Sequence, residues 1–126
     1  MSKKRINTDE APAAIGPYSQ AIVTGNLLFT SGQLPIDPKT GKLSKDSIEN
    51  QAHIVFCNLA AIAEAAGTNL DKAVKTTVFL ADINNFQSVN SVYADYFKEP
   101  FPARCAFQVA ALPLGADVEV EAIFEL

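Results

Sequence analysis

The chain has 126 residues, of which 48% are hydrophobic and 19% charged, and its formal net charge is −4. This length suits one folded domain, 1–126, and the apolar share is large enough to offset the entropy of ordering the backbone, which argues against disorder. No stretch approaches the roughly 20 apolar residues that cross a bilayer, so we expect no membrane span.

Charge and rare residues exclude further classes of protein. The basic start Lys3-Lys4-Arg5 is followed by polar residues rather than an apolar core, so we expect a cytoplasmic protein without a signal peptide. An acidic chain without a basic stripe is a poor phosphate-backbone binder, which disfavours nucleic acid as a partner. With one histidine and two cysteines, a zinc site lacks ligands, and a Ser-His-Asp triad would have to use His53.

The first half of the chain predicts a hairpin followed by a helix. Residues 19–24 and 27–34 are rich in strand-forming residues, and Gly25-Asn26 between them is a typical two-residue turn. From about residue 47 to 66, apolar residues recur at alternating spacings of four and three, which predicts an amphipathic helix. Gly67 is a suitable C-terminal cap for it.

The second half predicts a strand, a second helix and two closing strands. Residues 74–80 form a β-branched run, and Asp82 or Asn84 can cap the helix that follows. Pro100 and Pro102 mark the end of this helical region. The residues expected on the buried face of this helix are Phe86, Val89, Tyr93 and Phe97. Residues 103–110 and 117–126 then alternate between two faces, as strands do.

The order β-β-α-β-α-β-β predicts an α+β fold, with one mixed β-sheet and two helices on one face. The other sheet face is expected to combine polar and apolar side chains. We assign to it Arg104, Ala106, Ala110, Glu119, Glu121 and Ile123. This mixture fits neither an ordinary core nor an ordinary surface, and it favours an oligomer interface that contains a polar site.

Arg104 and Glu119 are the leading candidates for chemistry. A guanidinium held on a strand is a two-pronged receptor for a carboxylate, although position alone supports an ordinary interface ion pair equally well. Glu119 shares a strand face with Glu121, and a positioned carboxylate can orient water or move a proton. A solvated strand face that prevents aggregation is the simpler interpretation of the two glutamates.

Weaker candidates surround these two residues. Asn90 lies on the apolar face of the second helix, where it either orients a site group or is a satisfied structural amide. Ser31-Gly32-Gln33 interrupts a strand, which indicates either a bulge or close approach of a ligand. Tyr18 faces a pocket or the edge of the core, and His53 is solvated or at the edge of the core.

Several segments together resemble the RidA/YjgF family over nearly the whole chain and in the same order. The matching segments are 11–20 (APAAIGPYSQ), 29–33 (FTSGQ), 74–80 (VKTTVFL), 86–90 (FQSVN), 101–104 (FPAR), 109–113 (VAALP) and 118–122 (VEVEA). The resemblance implies a chorismate-mutase-like α+β domain that assembles as a homotrimer, with the three sheets facing inward and the sites between subunits. It also implies hydrolysis of short 2-imino acids to 2-keto acids and ammonia, without metal or cofactor. The implied substrates are 2-iminopropanoate and 2-iminobutanoate, which arise from dehydratases acting on serine and threonine.

The resemblance also assigns roles to individual residues. Arg104 would bind the substrate carboxylate, and Glu119 would hold or activate the attacking water. The residues that would contact the rest of the ligand are the side chains of Tyr18, Ser31 and Asn90 and the backbone of Gly32 and Ala106. Many family members have Ser after the arginine and often Cys after that, whereas this chain has Cys105-Ala106. By strand alternation Cys105 points away from the face of Arg104, so we do not expect a thiol nucleophile.

Three other functions stay open at this point. A binding module would hold a small carboxylate at Arg104 without turnover. RNA cleavage or translation inhibition is also ascribed to the family, but the single histidine and the negative charge leave few acid-base groups for it. A holdase-type chaperone is neither supported nor excluded by any feature of the sequence.

Overall fold

Two α-helices and six strands make up most of the computed structural model, which describes residues 2–126. The helices are α1, Ile48–Ala65, and α2, Phe86–Tyr96. The strands are β1, Lys4–Ile6; β2, Ala21–Thr24; β3, Leu27–Thr30; β4, Ala73–Leu80; β5, Ala103–Gln108; and β6, Val118–Glu125. Neither α1 nor α2 is long and apolar enough to cross a membrane, and no other helix among the described residues is.

The first helix matches the prediction closely. Ser47 caps α1 by accepting a hydrogen bond from the backbone N–H of Asn50 at 3.2 Å, which satisfies one of the free donors of the first turn. Among the residues at the alternating spacing, Val55, Leu59 and Ile62 are fully buried, whereas Ile48 and Ala66 at the two ends are partly buried. Helix α1 therefore forms because one stripe of its surface is apolar and its N-terminus is capped.

The second helix begins and ends slightly differently from the prediction. Asp82 caps a short 3₁₀ turn, Ile83–Asn85, that leads into α2, rather than capping α2 itself. Val89 and Tyr93 are buried as expected, whereas Phe86 is only partly buried. Phe97 follows the helix end but is still 1% exposed, so it belongs to the core.

The strands form one six-stranded sheet in the order β1-β2-β3-β6-β4-β5. Only β4 and β5 are parallel, so the predicted mixed sheet is confirmed. The predicted element order omitted β1, which pairs with β2 through only three residues at the sheet edge. The second predicted strand was too long, because regular pairing stops at Thr30 and only Gln33 rejoins the sheet, through a bridge to Val120.

Both helices cover one face of the sheet, as expected. On β6, Val118, Val120, Ala122 and Phe124 are buried in the core. Glu119, Glu121 and Ile123 alternate with them and therefore lie on the opposite face, which we call the open face. Phe29, Thr77 and Phe79 also belong to the open face, because each is in register with one of these β6 residues.

The predicted placement of Arg104 and Ala106 on the open face is wrong. Arg104 is in register with Thr76, which is fully buried beneath α2, and Ala106 is in register with Val78, which is also in the core. Cys105 and Phe107 are in register with Thr77 and Phe79, so they lie on the open face. The side of β5 that carries more apolar residues was expected to face the core. The open face is itself partly apolar and accommodates that side, while residues of α2 contact the polar side.

Candidate active site

Arg104 is held by one stripe of α2. Its Nη1 donates a 2.7 Å hydrogen bond to Oδ1 of Asn90. Its guanidinium carbon lies 4.7 Å from the ring centre of Tyr93 and 5.3 Å from that of Phe86, within the range of cation–π attraction. Phe86, Asn90 and Tyr93 share one helix face because they are spaced by four and three residues. These three contacts orient the guanidinium, and none of them is with a carboxylate.

Arg104 borders an open groove of about 430 Å³ between α2 and β5. The groove is lined by Asn90, Tyr93, Ala94, Phe101, Pro102 and Arg104. A second groove, of about 410 Å³, lies further along α2 and includes Phe86 and Ala106. A cation between largely apolar walls suits a small anion that carries an alkyl group, since water competes less for the charge there.

The backbone N–H of Ala106 faces the free edge of the sheet. Strand β5 has only β4 as a neighbour. Val109 donates its N–H to the carbonyl of Leu80 on β4, and successive N–H groups of a strand point alternately to its two sides. The N–H of Ala106, an odd number of residues from Val109, therefore points away from β4. Arg104 and Ala106 together offer side-chain and backbone donors at one edge.

Glu119 lies on the open face and has a perturbed acidity. Burial raises the pKa of its carboxyl, and repulsion from Glu121 raises it further. Glu119 packs directly on Gly32: a methyl group on Gly32 would overlap the carboxylate and come within 2.8 Å of its Cδ. At the Ser31-Gly32-Gln33 interruption, the group that approaches the backbone closely is therefore the side chain of Glu119.

Ser31 and Tyr18 border a neighbouring groove of about 420 Å³ that also includes Phe29 of the open face. The Ser31 hydroxyl donates to the carbonyl of Ser19 at 2.6 Å, which fixes it against the preceding loop. Tyr18 is 54% exposed, and its hydroxyl accepts from the N–H of Ile15 at 3.4 Å. The phenol therefore faces a groove and does not edge the core.

The predicted site residues fall into two separate groups within one chain. Arg104, Asn90 and Ala106 form the first group, on the helix side of the β5 edge. Glu119 and Gly32 form the second group on the open face, with Ser31 and Tyr18 in the groove beside it. Since Glu119 and Arg104 occupy opposite faces of the sheet, a single chain does not bring all of them together.

Two remaining candidates do not belong to either group. The Nδ1 of His53 and the hydroxyl of Tyr96 share a hydrogen bond of 2.9 Å. Of the two alternatives for His53, the position at the edge of the core is therefore the one observed. Cys105 is in register with Thr77 and Glu121, on the face opposite Arg104, as alternation predicted. Within residues 2–126, no three His, Cys, Asp or Glu side chains are grouped so that they could hold a metal ion.

The aromatic support of Arg104 was not predicted from the sequence. Tyr93 was assigned only to the buried face of α2, yet its ring also lies under the guanidinium, and its hydroxyl is 2.8 Å from that of Thr76. The spacing of Tyr93 from Asn90 could have indicated this role. The contact itself depends on where β5 lies beside α2, which spacing within the helix does not determine.

Comparison with known proteins places the chain in a family. The model described as Endoribonuclease L-PSP matches residues 8–126. The chain belongs to the RidA/YjgF family. Among its relatives, the 2-iminobutanoate/2-iminopropanoate deaminase of Bos taurus is 50% identical over 123 residues, covering 98% of this chain and 90% of that protein.

Solved structures of RidA/YjgF proteins have the same fold. YyfA of Yersinia pestis, a member of the conserved Rid protein family, is 52% identical with a TM-score of 0.97, covering 99% of this chain and 100% of that one. E. coli TdcF with bound serine is 40% identical with a TM-score of 0.92, covering 98% of both chains. The α+β architecture deduced from the sequence is therefore that of the RidA/YjgF family.

Proposed function

We propose that this protein is a 2-iminobutanoate/2-iminopropanoate deaminase, which hydrolyses short 2-imino acids to 2-keto acids and ammonia. The observation that carries the proposal is the exposed Arg104 guanidinium, which Asn90 and two aromatic rings orient beside an open groove. The name of the Bos taurus relative, which is 50% identical over almost the whole chain, supports the same activity.

Arg104 binds the substrate carboxylate in this mechanism. A short 2-imino acid carries one carboxylate, and a guanidinium matches it with two parallel N–H donors. The outward N–H of Ala106 is placed to add a further donor at the same edge. The serine bound to E. coli TdcF also carries a carboxylate, which is consistent with such a ligand.

Glu119 activates water in this mechanism. The carboxylate takes a proton from water as the oxygen bonds to C2 of the iminium form, and the C=N electrons move to the positively charged nitrogen to give a neutral carbinolamine. The proton held by Glu119 then passes to the amino nitrogen, the C–N bond breaks as the hydroxyl oxygen forms the carbonyl, and the hydroxyl proton passes to solvent, which leaves ammonia and the keto acid. A carboxyl whose pKa is raised by burial exchanges protons more readily near neutral pH than an ordinary glutamate does.

The proposal includes a homotrimer with sites between subunits. Arg104 and Glu119 lie on opposite sheet faces, so one subunit contributes the Arg104 group and its neighbour contributes Glu119 with Gly32, Ser31 and Tyr18. A cyclic assembly repeats the same head-to-tail contact around a closed ring. The half-polar, half-apolar open face supports such an arrangement, because it is unsuited to lasting exposure.

The proposal further includes a cytoplasmic location and no cofactor. Cys57 and Cys105 are both unpaired and exposed, which is typical of a reducing compartment. For the chemistry itself, an imine carbon is already electrophilic, so positioning one water and one carboxylate supplies most of what is needed.

The test is release of keto acid and ammonia from 2-iminopropanoate generated in situ from an amino acid. The variants are wild type, Arg104→Ala and Arg5→Ala, a matched loss of an exposed arginine on β1. We expect acceleration by wild type and Arg5→Ala, and a loss of roughly 10- to 100-fold in kcat/KM for Arg104→Ala, since a hydrogen bond to a charged group contributes about 1.5–3 kcal/mol. If wild type binds 2-oxobutanoate through Arg104 but gives no acceleration, the protein is a binding module instead.

A further inference from the structure

The hydroxyls of Thr76 and Tyr93 form a buried pair beneath Arg104. Their oxygens are 2.8 Å apart. Thr76 is 0% exposed and Tyr93 5% exposed, so neither hydroxyl has ready access to water. Tyr93 reaches Thr76 on β4 with its hydroxyl, while its ring lies under Arg104 on the adjacent strand β5. One tyrosine thus connects a buried hydroxyl to the exposed guanidinium.

The pair restrains the ring in a way that packing alone does not. A ring held only by apolar neighbours can slide by fractions of an ångström at little cost, whereas a buried hydroxyl that loses its partner is strongly disfavoured. Thr76 is also in register with Arg104, so the backbone pairing of β4 and β5 fixes the distance between the anchor and the guanidinium. Asn90, one turn before Tyr93, holds Nη1 from the side.

We propose that Thr76 and Tyr93 are positioning residues for carboxylate recognition: the Thr76–Tyr93 hydrogen bond fixes the aromatic platform that orients Arg104 toward its ligand. This inference rests on the proposed function, because the ligand is the carboxylate of a 2-imino or 2-keto acid. In this proposal the two hydroxyls bond to each other rather than to the ligand. The pair affects the reaction by setting the direction in which the guanidinium presents its N–H donors.

The variants separate the hydroxyl from the packing. Thr76→Val removes the hydroxyl and keeps the branched shape, whereas Thr76→Ser keeps the hydroxyl and removes a methyl. Tyr93→Phe keeps the ring and removes its hydroxyl. The double variant Thr76→Val with Tyr93→Phe leaves no unpaired buried hydroxyl, so it should fold even if Thr76→Val alone does not.

Two measurements distinguish positioning from stability. The first is steady-state kinetics with 2-iminobutanoate, together with the Kd of 2-oxobutanoate. The second is the NMR signal of the Arg104 side-chain Nε–H, assigned by its loss in Arg104→Ala. This signal reports the ring currents of Tyr93 and Phe86 and does not require activity.

We expect Thr76→Val, Tyr93→Phe and the double variant to raise KM and Kd by about 3- to 10-fold, the range of a cation–π contact that is weakened rather than lost. The value of kcat should stay within about twofold, and the Arg104 signal should move. Thr76→Ser should behave like wild type in both measurements. A purely structural role predicts lower thermal stability with unchanged KM and an unmoved Arg104 signal.

The inference is overturned if the folded double variant retains the wild-type KM and Arg104 signal, or if Thr76→Ser is as impaired as Thr76→Val. If wild type lacks deaminase activity, the proposed function fails separately, and the Arg104 signal with the Kd of 2-oxobutanoate still decides the positioning role.

Discussion

The carboxylate of Glu119 rests on the backbone of Gly32, with no space between them for even a methyl group. Glu119 is on β6, whereas Gly32 follows the end of β3 and lies next to the bridge between Gln33 and Val120. The raised pKa of Glu119 has its main cause in the same burial. This contact therefore determines the position of a carboxyl group whose pKa is raised.

Gly32→Ala should displace the Glu119 carboxylate. The new Cβ would come within 2.8 Å of Cδ, so the side chain must rotate away from its position. We expect a loss of roughly 10- to 100-fold in kcat/KM, which is smaller than the roughly 100- to 10,000-fold contribution of a positioned acid-base group because the carboxylate is displaced rather than removed. Gly41→Ala is the control, because its Cβ would meet nothing within 4 Å and only backbone strain at φ +72° is added. Activity equal to that of the control would contradict the role of this contact.

Glu121→Gln should shift the pH profile of the reaction. Glu119 must be ionised to accept a proton from water, and its raised pKa places the acid limb above the pH at which an ordinary glutamate titrates. Removing the charge of Glu121 removes part of the repulsion, so the pKa of Glu119 falls and the acid limb moves to lower pH. Glu64→Gln on α1 carries the same charge change, and the profile should stay in place for that variant. The measurement is kcat/KM against pH, corrected for uncatalysed hydrolysis.

Glu119→Gln should stabilise the fold near neutral pH while reducing activity. Because burial raises the pKa of Glu119, the folded protein favours the protonated form and is penalised once the carboxyl ionises. The penalty is absent below the unfolded pKa of about 4.3 and appears as pH rises through the higher folded pKa. Denaturant titrations at pH 4 and pH 7 should show a gain for the variant only at pH 7. An equal gain at both values would assign the effect to packing instead.

Phe107→Glu should prevent assembly. Phe107 is 45% exposed on the open face and packs edge-on against Phe79, with ring centres 5.5 Å apart. A carboxylate there would lie near Glu119, which is in register with Phe79, and would remove apolar area from the proposed interface. Light scattering should give a trimer for wild type and a monomer for the variant, with deaminase activity lost alongside. Ala65→Glu on the exposed side of α1 should remain trimeric and active.

The hydrophobic periodicity of the sequence predicted the positions of both helices and of most strands. Helix α1 was predicted over residues 47–66 and observed over Ile48–Ala65, because its apolar stripe and Ser47 cap are local features. Strand β4 was predicted over 74–80 and observed over Ala73–Leu80 for the same reason. Strand β1 was missed because it is only three residues long and two of them are exposed, so it has almost no apolar pattern of its own.

The candidate site residues also came from the sequence, through its resemblance to the RidA/YjgF motifs around Arg104, Glu119 and Gly32. Their grouping did not, and the assignment of Arg104 and Ala106 to the open face was wrong. Strand alternation establishes which residues share a face, but it leaves open which face meets the helices. That choice depends on what covers each side: α2 brings Asn90 and Tyr93 to Arg104, while Gly32 receives Glu119 on the other side. Contacts between segments that are distant in the chain therefore decide which face each residue occupies, because the register between these segments is set only when the sheet folds.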